Sequence, residues 1–282
     1  MNERTGTFRI SPDEFKSFSL FLEKNCGILL ADHKQYLVQS RLGKIMQECS
    51  LDNLSCLITQ LERAGGNQLK DKVIDAMTTN ETLWFRDTHP YDILKNKLLP
   101  EIKEKNQRKK VRIWSAACST GQEPYSMSMI IDEYKRANLG SFSVGEEIVA
   151  TDISASVLQQ ARGGEYEMLA LGRGLEKERL RKHFKANANG SWTINPDIKA
   201  RVRFQSLNLL GQYSGLGQFD IIFCRNVMIY FSSELKTQIL RKMHKQLNPG
   251  GYLLLGASES LSGLSDCYKM IHCRPGIIYQ AI

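Results

Sequence analysis

The sequence predicts an α/β chain built on a doubly wound parallel sheet, with a small N-terminal helical domain before it and a small β-subdomain inserted in it. Three observations carry this. Up to about residue 78, apolar residues recur at helical spacing and are broken into four short segments by Ser, Asp and Gly signals. From about residue 111, short apolar runs rich in Val, Ile and Phe alternate with amphipathic helical runs, the βαβ signature. The stretch 163–206 then interrupts that alternation with Gly172, Gly174, Gly190 and Pro196 around two short strand-like pieces, SWTIN and ARVRF. The expected division is a helical domain over 1–78, a linker over 79–91, and a sheet domain over 92–282 with 163–206 as its insert.

The elements follow in order. SPDEFKSFSLFLEKNCG opens with Ser11 as N-cap and Pro12 at the first helical position, where its missing N–H costs nothing. Phe15, Phe18 and Leu22 share one face, and Gly27 ends the helix. DHKQYLVQSRLGKIMQEC is expected to start on Asp32, with Tyr36, Leu37, Leu42, Ile45 and Met46 as its apolar stripe. DNLSCLITQLERAGG is expected to start on Asp52 and stop at Gly65-Gly66, and QLKDKVIDAMTTN makes a fourth helix. Short helices on short loops form a small bundle. Beyond the linker, VRIWSAAC is a strand, EPYSMSMIIDEYKRA a helix, EEIVATDIS a strand and ASVLQQARG a helix. LEKERLRKHF is a charged helix of the insert. RVRFQSLNLL and QFDIIFCRNVMIYF are strands with trailing loops, SELKTQILRKMHKQLN is a helix, and GGYLLLGASES is a strand.

Composition narrows the function classes. No apolar run approaches the roughly 18 residues of a membrane span, so no membrane insertion is expected. MNERTGTFRI lacks the apolar core of a secretory signal. The seven cysteines are odd in number and contain no C-x-x-C, which reads as free thiols in a reducing, cytoplasmic setting and gives no zinc site. The net charge of +8 is unevenly placed: residues 1–80 hold ten basic and ten acidic residues, whereas 161–206 hold ten basic and five acidic. A basic excess favours an acidic partner, protein or nucleic acid. The run KEKNQRKK (103–110) by itself reads better as solvated surface.

Ligands of doubly wound sheets sit off the C-terminal strand ends, so the residues there carry the chemistry. The first strand runs into Ser115-Ala116-Ala117-Cys118-Ser119-Thr120-Gly121. Small side chains let a ligand lie against the backbone, and Gly121 permits a tight turn. Yet neither G-x-G-x-x-G nor G-x-x-x-x-G-K-[ST] is present. Glu123 opens the next helix, where its carboxylate suits the helix dipole as a plain cap. The same carboxylate would repel a phosphate and would suit a ligand bearing an ammonium group. Thr151-Asp152 ends the second strand; an acid there either caps a helix or takes both hydroxyls of a ribose. Asn208-Leu209-Leu210 ends the third, and its amide can read an adenine edge or a polar tail. Arg225, Asn226, Tyr230 and Phe231 follow the fourth, where the aromatic rings either fill the core or face a cationic sulfur. A nucleoside that carries both an amino acid and a positive sulfur is S-adenosylmethionine. The linker TTNETLWFRDTHPY (78–91) is either a hinge with Trp84 and Phe85 buried, or a cover that brings Asn80, Thr82 and Arg86 over the cofactor.

TTNETLWFRD, SAACSTGQEPYSM, ATDIS, NLL, FDIIFCRNVMIYF and LNPGGYLLLGASES occur in the order found in one family. Over about residues 10–282 the chain resembles the CheR family, the chemotaxis receptor methyltransferases. The resemblance implies a Rossmann-like methyltransferase sheet that uses S-adenosylmethionine and releases S-adenosylhomocysteine. It implies methylation of glutamate side chains on the cytoplasmic helices of methyl-accepting chemotaxis receptors, giving methyl esters for sensory adaptation. It further implies that Asn80, Thr82 and Arg86 contact the cofactor from the linker, that Glu123 meets the methionine ammonium, and that Asp152 meets the ribose. Asn208 and Leu209, with Arg225 and Asn226, would flank the adenosine and methionine portions. Arg86 and Tyr230 match the residues placed near the reacting methyl, the catalytic pair. The loop in ANANGSWTIN is shorter than in members that dock on a receptor C-terminal peptide, so peptide docking is not carried over.

The chemistry agrees. A glutamate carboxylate, with an ordinary pKa of about 4.3, is already a nucleophile at neutral pH, so no general base is required. None of His33, His89, His183, His244 and His272 lies in a strand-end motif. Arg86 would hold either the incoming carboxylate or the methionine carboxylate. Lys34, Arg41 and Lys44 are spaced to share one helix face, a dock for acidic receptor helices or a solvated face. No nucleic-acid partner is expected and the chain reads as a monomer. The rival readings are a methyltransferase acting on RNA or a small molecule, for which the basic stretch 161–206 speaks, and a non-catalytic module that binds the cofactor.

Overall fold

The computed structural model describes residues 8–63, 67–105, 109–261 and 263–282. The expected stop at Gly65-Gly66, the centre of KEKNQRKK and most of MNERTGTFRI lie outside the described residues.

Helix α1 (Pro12–Cys26) begins with a capping box: Ser11 Oγ accepts from the Glu14 amide at 3.3 Å, and the Glu14 carboxylate accepts from the Ser11 amide at 3.0 Å. Such a cap is worth about 1 kcal/mol. Gly27 ends the helix at φ +78, a left-handed conformation that glycine adopts freely. Helix α2 (Gln35–Glu48) is not capped by Asp32, which instead starts a short 3₁₀ turn over Asp32–Lys34. The buried stripe of α2 is Val38, Leu42, Ile45 and Met46, and Tyr36 is exposed, because the helix presents a face rotated from the expected one. Helix α3 (Leu54–Glu62) is capped by Asn53 rather than Asp52: Asn53 Oδ1 accepts from the Cys56 amide at 2.9 Å. The buried residues Leu54, Leu57 and Leu61 set that start. With α4 (Asn67–Met77) these helices close around Phe15, Phe18, Leu22, Leu42 and Leu57.

After the linker, α5 (His89–Ile93), a π-helical turn (Leu94–Leu98) and α6 (Leu99–Lys105) make one helical passage that the sequence reading left unassigned. The remaining elements are β1 (Val111–Ala116), α7 (Gln122–Ala137), β2 (Glu146–Asp152), α8 (Ala155–Gly163), β3 (Glu165–Tyr166), α9 (Met168–Leu171), α10 (Lys177–His183), β4 (Phe184–Ala186), β5 (Trp192–Ile194) and α11 (Pro196–Lys199). They continue with β6 (Val202–Ser206), β7 (Phe219–Cys224), α12 (Ser233–His244), β8 (Leu247–Leu255), β9 (Tyr268–His272) and β10 (Ile277–Ala281).

The central sheet runs β6-β2-β1-β7-β8-β10-β9. Its first five strands are parallel, and β10 pairs antiparallel with both β8 and β9. Strands buried on both faces need apolar residues on both, and β7 (FDIIFC) is buried throughout. Ile113, Ile148, Ile221 and Phe223 pack on one face; Trp114, Val149, Ile222 and Cys224 pack on the other. The chain winds outward from β1 to β2 and later returns to place β7 on the other side of β1. A crevice therefore opens at the C-terminal ends of β1 and β7.

The insert is smaller than 163–206. Its own sheet is β3-β5-β4, within Glu165–Ile194. The ARVRF piece belongs to the central sheet, where β6 pairs with β2 from Val202↔Ile148 to Ser206↔Asp152. The end of LEKERLRKHF leaves the helix at His183, and Phe184 begins β4.

The helical domain is tied directly onto the strand ends. Asn208 Nδ2 donates to Asn25 O at 2.7 Å, and the Leu29 amide donates to Tyr230 O at 2.9 Å. The Ser154 and Ser156 hydroxyls donate to Asp75 on α4. At Gly27, with φ +78, a Cβ would lie 2.6 Å from Leu235 Cδ2 and against the Phe231 ring, which brings this turn close to α12.

Candidate active site

A cavity of about 370 Å³ lies off the ends of β1, β2, β6 and β7, roofed by Ile28, Leu29, Leu30 and Lys34 of the helical domain and walled by the linker. That size suits a small organic ligand. Asn80, Thr82, Arg86, Glu123, Asp152, Asn208, Leu209, Arg225, Asn226 and Tyr230 all line it. Residues far apart in the chain thus meet in one place. Among the described residues, eight non-glycine positions have positive φ, and six of them lie at this site or on the linker segment leading from it: Phe85, Asp87, Thr88, Ala117, Ser119 and Asn226. Backbone strain of this kind concentrates where geometry is imposed by function.

The charged centre is a triad in which Arg225 and Glu123 are buried and Asp87 reaches the surface. Arg225 sits just past β7 with its side chain almost fully buried. Its Nη1 pairs with Glu123 at 3.2 Å, and its Nη2 donates to Asp87 Oδ2 at 2.6 Å and to Arg86 O at 2.9 Å. Its buried Nε has no partner among the described residues. Glu123, in the first turn of α7, also accepts from Ser115 Oγ at 2.8 Å. Burial pushes the Glu123 carboxyl above its ordinary range, against the pull of the Arg225 guanidinium.

Asp152 ends β2 with its carboxylate on two backbone amides, Ser119 at 2.8 Å and Ser154 at 3.0 Å. Burial raises its pKa and those amides oppose the rise. A carboxylate offers about four lone-pair sites, so two remain for a ligand. Asn80 accepts from Ser119 Oγ at its carbonyl, at 2.8 Å, which binds the linker to the β1 turn. The Asn208 amide uses one donor on Asn25 and one acceptor site on the Leu210 amide at 3.0 Å, which leaves one of each for a ligand. Arg86 makes one long hydrogen bond, 3.4 Å to Glu81 O, which leaves most of its guanidinium fork open.

The linker is fixed by the insert. Trp84 is fully buried, packs edge-on against Tyr166 and Phe184, and donates its amide to Arg173 O at 3.0 Å. Arg179 lies over the Phe85 ring at 4.1 Å. A Cβ at Gly174 would lie 2.1 Å from Trp84 O, so the insert requires glycine there.

Residues 80–277 match the family model described as CheR methyltransferase, SAM binding domain, and residues 13–78 match its all-alpha domain. The chain belongs to the CheR methyltransferase family. It is 54% identical over 268 residues to chemotaxis protein methyltransferase Cher2 of Pseudomonas putida, covering 95% of this chain and 98% of that protein. Identity to chemotaxis protein methyltransferase 1 of Pseudomonas aeruginosa is also 54%, covering 95% and 97%. The chemotaxis protein methyltransferase of Vibrio parahaemolyticus is 50% identical over 271 residues, covering 96% and 98%. This CheR-family chain is an S-adenosylmethionine-dependent methyltransferase. Among the described residues no helix is long and apolar enough to cross a membrane.

The residues present fit S-adenosylmethionine. Glu123 offers a carboxylate to an ammonium, Arg225 holds an unpartnered Nε, and Asp152 keeps spare acceptor capacity.

Two features escaped the sequence reading. Asp87 and Glu259 organise the site from outside the cavity; Glu259 accepts from the Asn226 and Ile229 amides in the loop after β7 and from the Gly256 amide after β8. On the helix face of Lys34, Arg41 and Lys44, Arg41 is tied to the end of α4. Arg41 donates to Met77 O at 2.7 Å, Thr78 O at 3.0 Å and Thr79 Oγ1 at 3.1 Å, satisfying carbonyls at the end of α4. Lys34 and Arg41 both line the cavity, and Lys44 points to solvent, 3.8 Å from Glu48.

Proposed function

We propose that this enzyme methylates glutamate side chains on the cytoplasmic helices of chemotaxis receptors, forming glutamate γ-methyl esters. One observation carries the reading: Arg86 lines the cavity with an open guanidinium fork, beside a loop that presents Tyr230. A planar fork recognises a carboxylate in two parallel hydrogen bonds. The names of the relatives at 50–54% identity support a role in chemotaxis.

When bound, S-adenosylmethionine supplies a methyl group on a positive sulfur and leaves as neutral S-adenosylhomocysteine. Glu123 takes the ammonium, Asp152 the ribose hydroxyls, and Asn208 with Leu209 the adenosine. Arg225 and Asn226 hold the methionine portion, while Asn80 and Thr82 close the linker over it. Arg86 and Tyr230 align the acceptor carboxylate for in-line attack. No proton moves, since the acceptor is already ionised at neutral pH. The chain's contribution is therefore alignment, which is worth several kcal/mol of barrier when two reactants are held in register. The helical domain, which roofs the cavity, lies where an acceptor helix must approach.

The test is an acceptor panel. Labelled methyl groups should pass to receptor-containing membranes and not to RNA or free amino acids. Transfer to RNA or to a small molecule instead would replace this reading.

A further inference from the structure

We infer that Glu259 is a positioning residue for the methyl-transfer site, acting through the loop Arg225–Tyr230 rather than by touching a ligand. The inference rests on the methyltransferase reading above.

Strand β8 ends at Leu255, and the chain turns at Gly256 so that the Glu259 side chain folds back across the strand ends. Its Oε2 accepts from the Gly256 amide at 2.7 Å and from the Asn226 amide at 2.8 Å; its Oε1 accepts from the Ile229 amide at 3.3 Å. One carboxylate thus joins the ends of two neighbouring strands to the 3₁₀ turn Met228–Tyr230. Asn226 adopts a left-handed φ of +59, a conformation that costs energy for a non-glycine residue. The hydrogen bond to its amide holds it there. The approach is tight: a Cβ at Gly256 would lie 2.7 Å from Glu259 Oε2 and 2.8 Å from Asn226 Nδ2. Glycine at 256 and glutamate at 259 are therefore one device.

What the device orders is the catalytic wall. Arg225, Asn226 and Tyr230 line the cavity; Glu259 and Gly256 do not. Arg225 in turn holds Arg86 by its carbonyl. Charge-assisted bonds from a carboxylate to amides are roughly twice as strong as neutral ones. An amide side chain at 259 would keep one acceptor oxygen and turn an N–H₂ toward an amide donor. A shorter acid would keep the charge but not span both strand ends.

The experiment compares the full-length enzyme with Glu259→Gln and Glu259→Asp in steady-state methyl transfer, S-adenosylhomocysteine calorimetry and thermal melting. Wild type should bind S-adenosylhomocysteine; if it does not, the methyltransferase reading itself fails and the inference with it. Given wild-type binding, Glu259→Gln should raise the KM for S-adenosylmethionine and the product Kd about tenfold, and lower kcat. The melting midpoint should hold to within a few degrees. Glu259→Asp should recover only part of the loss. Unchanged KM, Kd and kcat in Glu259→Gln would overturn the inference, and so would full recovery in Glu259→Asp, which would leave bulk charge as the cause. If Glu259→Gln melts below assay temperature, the Asp variant carries the test alone: full activity rejects the inference, and a tenfold rise in cofactor KM with a retained melting midpoint upholds it.

Discussion

Arg225 grips the backbone of Arg86: its Nη2 donates to the Arg86 carbonyl at 2.9 Å while its Nη1 pairs with Glu123 at 3.2 Å. A residue at the end of β7 thereby sets the position of a residue on the linker, 139 positions away in sequence. Replacing Arg225 with Ala should break both ties and leave Glu123 buried without its partner. Removing one member of a buried pair costs about 3–5 kcal/mol. The melting midpoint should fall by several degrees and product binding should be lost together with it. A variant that melts like wild type in a thermal scan and still binds S-adenosylhomocysteine would show that the triad does not organise the site.

Arg86 is predicted to act on turnover with little effect on folding, because its guanidinium makes only one long hydrogen bond. Arg86→Ala should lose at least a hundredfold in kcat, about 2.7 kcal/mol of barrier, with an unchanged melting midpoint. Arg86→Lys should recover little, since a point charge does not reproduce a planar fork. Steady-state kinetics on both variants decides; equal rates for Lys and Arg would mean that charge alone suffices.

Asp152 has two duties, and its variants separate them. It accepts from the Ser119 and Ser154 amides and faces the cavity. Asp152→Ala should weaken product binding by about 1.5–3 kcal/mol and also lower stability, since two amides lose their acceptor. Asp152→Asn keeps an acceptor oxygen and should retain more stability than affinity. Calorimetry beside thermal melts checks this, and unchanged affinity in both variants would remove Asp152 from the ribose site.

How far the sequence made this legible follows from what is local and what is not. The four inner parallel strands β2, β1, β7 and β8 announce themselves because burial on both faces demands continuous apolar runs, as in FDIIFC. The hairpin β9–β10 does not: β9 is an edge strand with mostly exposed side chains, so YKMIH carries no such run. Strand-end residues such as Glu123 and Asp152 were readable because sheet topology says where ligands lie. Glu259 was not, since its meaning comes from amides of Asn226 and Ile229, about 30 positions earlier. The contacts of Arg41 were hidden for a related reason. Helical spacing shows which residues share a face, but not that the end of α4 lies against that face.

Cofactor affinity should depend on pH through Glu123. Its pKa is raised by burial, and only its ionised form attracts an ammonium. The sign follows: affinity is greatest at pH above the raised pKa and falls as pH drops through it, starting above the ordinary carboxylate range. Asp152, raised in the same direction by burial, adds to the decline. Calorimetric Kd values for S-adenosylhomocysteine between pH 5 and 8 should show this acid limb, and Glu123→Gln should flatten its upper part at a uniformly weaker affinity. A wild-type Kd that stays constant down to pH 5 would contradict the assignment.

The chemical step, in contrast, should be nearly independent of pH. An amine or hydroxyl acceptor must lose a proton before or during attack, so its methylation rate climbs as a base titrates. A glutamate acceptor, with a pKa of about 4.3, is fully ionised well below neutrality. Single-turnover transfer at saturating cofactor should therefore vary little from about pH 6.5 to 8.5. Saturation matters, because it removes the Glu123-dependent loss of affinity from the measurement. The product adds an independent readout: a carboxyl methyl ester is cleaved by mild alkali and releases volatile methanol, while an N-methyl product survives. A flat profile with base-labile, volatile label is the expected outcome. A rate that rises tenfold per pH unit, or a label that resists alkali, would rule out a carboxylate acceptor and would reassign the open fork of Arg86 to the cofactor's own carboxylate.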